Sequence, residues 1–369
     1  MRALYMPKFF KGLTLCENFF FDVAKPILDR HFPALIYTAG LLGYGSDVLG
    51  FDDETSTDHM CGPRFYLFLR EEDAALKPQI MQAFSEEFPY TYAGYSVNFS
   101  IPDPSDNGIR HAEYISEGPV SPLIFLYTVH EYLDGYLGRH DPENFTAVDW
   151  LAFSEHRLLA LTAGKLFIDG LHLQDIRDQL RFYPNDVRLS LIASNWSLLA
   201  EEQAFVKRCA AVGDETGSAL VCGRIAERLM RLAFLYCGQY APYSKWFGTA
   251  FSRLPVDERI KTAIQKAVTA ANIAERETNL VQAQKWMADW HNTLGLTKPV
   301  DVEIQSYFGR DILVIYADRI AQAAQEALAG TSLAHAPLIG SVSEIANFTV
   351  LFDYPKYQKN IKALYEPQI

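Results

Sequence analysis

The apolar residues of this chain change period part-way along it, and that change sets what the chain can fold into. From about Asn144 onward they recur at three- and four-residue spacing through 155–163, 172–182, 187–212, 218–237, 257–272, 275–294 and 310–329. Pro184, Gly213, Pro242, Pro255 and Pro299 punctuate these stretches. Before Asn144 the pattern is mixed. Leu15 to Arg30 reads as an amphipathic helix interrupted near Pro26, and Ala34 to Leu42 is a short apolar stretch. The aromatic run 65–69 predicts a strand, bounded by Gly62-Pro63 and by charges. Ala74 to Phe88 has helical spacing, Thr91 to Ile101 and His111 to Ser116 predict strands, and Ser121 to Leu137 predicts a helix. The expected fold class is α+β: a small mixed-sheet domain over 1–143, a larger helical domain over 144–296, and a C-terminal helical extension over 297–369, packed on the helical domain.

Several function classes fall away on composition. The net charge is −12, so a broad grip on extended nucleic acid is not expected, because phosphate binding needs a positive field. No apolar run approaches the roughly 18 residues of a membrane helix, and no signal-peptide order opens the chain. Five cysteines without a CxxC spacing make neither a disulfide framework nor a zinc site, and a reducing cytoplasm suits them.

One region carries a chemical pattern. Gly40-Leu41-Leu42-Gly43-Tyr44-Gly45-Ser46 precedes an acid-rich loop, Asp52-Asp53-Glu54, and then Ser56-Thr57-Asp58-His59 leads into the predicted strand. A Gly-Ser turn lets backbone N–H groups approach an anion closely, and nearby carboxylates can hold Mg²⁺, which takes oxygen ligands. The pattern is neither a Walker loop, since no GxxxxGK[ST] occurs, nor a GxGxxG fingerprint. Taken singly, each residue also has a plainer reading. Gly45-Ser46 can be an ordinary turn, Asp58 a helix cap, His59 a structural hydrogen-bonder and Asp52-Asp53-Glu54 a solvated run. Glu113, between Ala112 and Tyr114, reads as a strand acid. Lys245, beside Tyr243 and Trp246, can meet a phosphate or sit in an ordinary ion pair. Arg224, Arg228 and Arg231 share one helix face and need an anion or protein acids opposite.

The spacing from Gly45-Ser46 to Asp58 resembles the nucleotidyltransferase superfamily with the DNA-polymerase-beta-type fold. GYGSDVLGFDDETSTDH, the Asp149-Trp150-Leu151 triplet, YPNDV at 183–187 and YAPYSKW at 240–246 are similar to an uncharacterised bacterial branch of nucleotidyltransferase-like proteins. That branch carries a helical C-terminal domain, and the likeness runs over about residues 30–260. It implies that Gly45 and Ser46 bind a nucleoside triphosphate, to which Lys245, Arg224 and Arg228 can add positive charge from the helical domain. It further implies that Asp58, Asp53 and Glu113 hold Mg²⁺ or Mn²⁺, with Asp58 and Glu113 as the catalytic acids. The implied reaction moves a nucleoside monophosphate to the hydroxyl of a small-molecule or protein acceptor. One departure stands out: the second acid of the D-x-D pattern falls on Met60, whose soft neutral thioether does not bind Mg²⁺. Whether the chain is an enzyme therefore stays open at this point. A nucleotide-binding or regulatory protein on the same scaffold and a helical interaction module are the alternatives. A homo-oligomer stays open as well.

Overall fold

The computed structural model of the chain describes residues 8–55, 61–106, 108–346 and 354–365. The fold is α+β, a mixed four-stranded sheet with a helical C-terminal region. Two compact units form, one from Met1–Pro142 and Arg157–Arg181, the other from Glu143–His156 and Phe182–Ile369.

In the first unit, α1 (Gly12–Phe19) runs through a π-helical turn, Phe20–Ala24, into α2 (Lys25–His31). The interruption that the sequence predicts near Pro26 is this π-helical turn, and the proline itself takes an early position in α2. The sheet contains β1 (Tyr37–Leu41), β2 (Arg64–Leu69), β5 (Leu123–Thr128) and β6 (Lys165–Asp169), in the order β5-β2-β1-β6. β1 is antiparallel to β2 and β6, while β5 lies parallel to β2 with Arg64 opposite Leu123 and Tyr66 opposite Phe125. A parallel pair needs a long crossover, supplied here by α3 (Lys77–Glu87) and the β3–β4 hairpin (Thr91–Tyr92, Tyr95–Ser96).

Two expectations are corrected. Ser121 to Leu137 is not one helix, since β5 occupies its first half and α4 (Val129–Leu137) its second. The switch falls at Thr128, whose hydroxyl accepts from Glu131 N–H in a capping box. Likewise, the helical stretch after Asn144 contains β6. Its edge position beside β1 explains why 157–181, with α6 (Glu155–Thr162) and α7 (Leu173–Gln179), mostly joins the first unit.

Side chains alternate across the strands. Phe65, Leu67, Leu69 and Ile124 enter a core with Phe19, Phe20, Ile80 and Phe84. Arg64, Tyr66, Phe68, Phe125 and Tyr127 lie on the opposite face. The β1–β6 contact is tight: a Cβ on Gly164, at φ +77°, would fall 2.0 Å from Leu41 O.

The second unit contains α5 (Ala147–Ala152), α8 (Asn185–Glu202), α9 (Phe205–Ala211), α10 (Glu215–Cys237), α11 (Ser244–Arg253), α12 (Glu258–Thr269), α13 (Ile273–Thr293) and α14 (Asp318–Ala327). A small β7–β8 pair (Gln305–Ser306, Leu313–Val314) precedes α14, and α15 (Val342–Ile345) and α16 (Gln358–Lys362) follow it. Asp214 and Asn272 cap α10 and α13 through their side chains, and α10 ends on Gly238 in the left-handed region. Inside, Trp196 Nε1 donates to Tyr236 Oη at 2.8 Å, and Tyr236 Oη lies 3.1 Å from His291 Nδ1. Burial pushes the His291 pKa down to about 4, so the imidazole stays neutral and accepts from the phenol.

Gly164→Ala should lower unfolding stability by about 3 kcal/mol, since it adds left-handed strain to a backbone clash. Urea titration checks this; a wild-type midpoint would contradict it.

Candidate nucleotide-binding corner

The chain leaves β1 at Leu41 and enters β2 at Arg64, and Gly40 pairs with Tyr66. The intervening loop therefore begins and ends at one end of the two central strands. Its first residues form a sharp corner. Gly43 has φ +104° and its N–H donates to Ala160 O at 3.1 Å. Leu49 N–H returns to Gly45 O at 3.0 Å and Phe51 N–H to Ser46 O at 2.7 Å.

Asp47 fixes this corner. Its carboxylate accepts from Arg64 Nη2 at 2.7–2.8 Å and from Val48 N–H at 3.0 Å. A Cβ on Gly45 would fall 2.6 Å from Asp47 Oδ1, and one on Gly12 would fall 2.4 Å from Oδ2. Glycine is needed at both places because the carboxylate is wedged between them. Burial acts against the Arg64 charge, but Asp47 outweighs it and holds the guanidinium above its ordinary pKa. Asp52, only 6% exposed, accepts from Gly12 N–H at 2.8 Å and pairs with Lys11 at 3.1 Å, tying the loop to the start of α1. Asp53 is exposed, and its Oδ1 accepts from Thr55 N–H at 2.9 Å and Thr55 Oγ1 at 2.6 Å.

Asp58, with His59 and Met60, lies outside the described residues. Glu113 is exposed and off the four-stranded sheet; its N–H donates to Asn98 O at 2.9 Å and its carbonyl accepts from Ser96 Oγ at 2.7 Å. β5, the strand parallel to β2, reads Leu-Ile-Phe-Leu-Tyr-Thr and holds no carboxylate. Among the described residues, no group of three or more His, Cys, Asp or Glu side chains is arranged to hold a metal ion.

That face of the sheet is aromatic instead. Tyr66 stacks on Phe125 at 4.7 Å, and α4 sets Tyr132 edge-on against Tyr66 and Phe68. The signal for this cluster is visible in the sequence: Tyr66-x-Phe68 and Phe125-x-Tyr127 alternate, and Tyr132 and Tyr136 sit four apart. Read as hydrophobic periodicity alone, it gives only core.

In the second unit, Arg224 is held by Glu202 at 2.5–3.0 Å and Arg231 by Glu227 at 2.9 Å and Glu155 at 3.5 Å. Protein acids therefore answer much of the arginine stripe. Arg228 Nη2 donates to Glu344 O at 3.3 Å, while among the described residues its buried Nη1 has no hydrogen-bond partner. Lys245 Nζ lies 5.0 Å over the Trp246 ring. The sequence motifs converge: the Tyr183 ring lies 6.2 Å from Trp150 and 5.0 Å from Tyr240, and Ala241 N–H donates to Glu155 Oε1 at 2.9 Å. Glu155, 8% exposed, was not singled out by the sequence, where it is one acid among many.

Residues 150–247 match the family of a domain of unknown function, DUF4037. No curated protein matches the chain. Among solved structures, the chain is similar to a nucleotidyltransferase-like protein from Exiguobacterium sibiricum 255-15, at a TM-score of 0.33 and 10% identity, over 79% of this chain and 96% of that one. Among the described residues no helix is long and apolar enough to cross a membrane.

Burial pushes the Glu155 pKa from 4.5 up to about 7, against the pull of Arg231 and Ala241 N–H and with a push from Glu344. The folded state then keeps a proton that the unfolded chain has released, so this group's contribution falls as pH rises from about 4.5 and levels off above about 7. Melting temperatures across this window should show a shallower downward slope for Glu155→Gln than for wild type. Equal slopes would contradict the assignment.

Proposed function

We propose that the corner 43–47 holds the polyphosphate of a nucleoside triphosphate, and that the protein is a nucleotidyltransferase. The observation that carries this reading is the shape of the corner: a left-handed glycine, a second glycine with no room for a side chain, and Ser46, at the loop's exit from the sheet. Backbone N–H groups in such a turn suit an anion. Arg64 beneath it is neutralised by Asp47, so it shapes the corner rather than supplying net charge.

In the proposed reaction, an acceptor hydroxyl oxygen bonds to the α-phosphorus. The bond from that phosphorus to its bridging oxygen breaks, pyrophosphate leaves with the electron pair, and the hydroxyl proton is released. Holding tail and acceptor in line is the chain's main contribution. Mg²⁺ or Mn²⁺ is part of the proposal through Asp58, with Asp53 as its neighbour in the loop. The described residues do not form a cation site by themselves, so no step is assigned to the ion. The acceptor is a small molecule or a protein; extended nucleic acid is disfavoured by the −12 charge.

A second reading is favoured by two observations. β5 carries no carboxylate and Met60 replaces an expected acid, which suits a nucleotide-binding or regulatory protein without turnover.

Titration calorimetry with ATP, GTP, CTP and UTP in the presence of Mg²⁺ should detect at least one ligand, with Asp58→Ala weakening it ten-fold or more, about the loss of one charge-assisted contact. No binding of any of the four sinks both readings. Binding without pyrophosphate release, restored by Met60→Asp, selects the second.

A further inference from the structure

We infer that α15 with its flanks, residues 340–346, is a pH-sensitive strap on the helical unit, held closed while the Glu155 carboxyl group carries a proton and loosened when that proton leaves. The inference is independent of the nucleotide reading.

The charges that face Glu155 point to it first. Glu155 Oε1 accepts from Ala241 N–H at 2.9 Å, while Oε2 lies 3.5 Å from Arg231 Nη1. Glu227 holds the same guanidinium more closely, at 2.9 Å. From α15, Glu344 lies within electrostatic reach of both Glu155 and Arg231. The second cation of α10 here, Arg228, donates to the Glu344 carbonyl oxygen at 3.3 Å. The neutral phenols of Tyr183 and Tyr240, both buried, border Glu155 as well. Two guanidinium groups thus meet two carboxylates, Glu227 and Glu344. The charges balance only while Glu155 is neutral. Once ionised, it sets an uncompensated negative charge beside Glu344, where little water reaches.

The fastening of α15 is the second observation. The helix is four residues long. Ser343 Oγ accepts from Glu155 N–H at 2.8 Å, and Asn195 Nδ2 donates to Glu344 Oε1. Tyr365 Oη donates to Gly340 O at 2.8 Å. Val342 is buried, but Ile345 is 45% exposed. A short element with so little apolar cover opens at lower cost than the long helices beneath it.

Opening draws Ser343 and Glu344 away from Glu155 and admits water. The burial that pushes the Glu155 pKa up to about 7 is then relieved, and the group returns toward its ordinary 4.5. The closed form therefore holds a proton that the open form releases. Opening becomes easier as pH rises from about 4.5, and the effect levels off above about 7. Between pH 6 and pH 8 the opening constant should rise about ten-fold. His156, next in the chain, also titrates in this range; its ring stands edge-on to Tyr243 at 5.5 Å.

Hydrogen exchange of the full chain, read by mass spectrometry and corrected for the intrinsic rate, tests the strap. Its reporters are the amides of Glu344, Ile345 and Ala346, which donate to Ser341 O and Val342 O at 3.0–3.2 Å. They should be less protected than the amides of α13 at both pH values, and their protection should fall about ten-fold from pH 6 to pH 8. Glu155→Gln, which retains His156, should abolish the fall. Glu344→Gln removes the opposing charge and should reduce the fall; it serves in place of Glu155→Gln if that variant does not fold. Ser343→Ala should lower strap protection about five-fold at both pH values, the loss of one hydrogen bond. Equal wild-type protection at pH 6 and pH 8 overturns the inference. So does protection equal to that of α13, since the strap then opens only with the whole unit. A fall as steep in Glu155→Gln as in wild type also overturns it and assigns the response to His156, and unchanged protection in Ser343→Ala removes the fastening on which it stands.

Discussion

The Asp47 carboxylate, wedged between Gly12 and Gly45 and paired with Arg64, is the interaction on which the first unit's corner depends. It joins three elements in one small volume: the start of α1, the exit of β1 and the entry of β2. An ion pair this enclosed does not add much stability over a packed apolar pair, but removing one partner strands a charge and costs about 3–5 kcal/mol. Its value is geometric. It fixes where Gly43, Tyr44 and Ser46 stand relative to the sheet, and Asp52 repeats the device on the other side of the loop by accepting from Gly12 N–H. Both acids thereby serve the fold.

The second unit is organised by buried polar contacts too. Trp196, Tyr236 and His291 form one line through its helices, and the Glu155 carboxyl group draws in Arg231 and Ala241 N–H while its backbone N–H donates to Ser343 Oγ. The latter contacts bring the chain's middle segment and its C-terminal segment to one place. Tyr365 adds a hydrogen bond to Gly340 O at 2.8 Å, and Lys362 pairs with Asp149. Distinctive motifs at 149–151, 183–187 and 240–246 are thus largely packing and polar anchoring of one helical unit.

How much of this was legible depended on whether the cause was local. The helices after Asn144 follow from spacing, with Pro184, Gly213, Pro242, Pro255 and Pro299 between them, because periodicity and helix breakers act within a few residues. β6 was hidden: Lys165–Asp169 is five residues long and becomes a strand only because β1 offers an edge. β5 was hidden by its own composition, since Leu-Ile-Phe-Leu-Tyr suits a buried helix as well as a strand. At the site, the Gly43–Ser46 corner was legible from its glycines. The fates of Asp47 and Asp52 were not, because their partners Arg64 and Gly12 lie 17 and 40 residues away. The tyrosine cluster needs the β2–β5 register, which no local pattern encodes.

The central claim is that the corner meets a phosphate tail through its own backbone. The most direct check is to label the 22 glycines with ¹⁵N and follow their amides as tripolyphosphate is added. Gly45 should shift most and Gly43, whose N–H is held by Ala160 O, less, the two saturating together. Silence at both, with larger shifts elsewhere or none at all, would contradict the account.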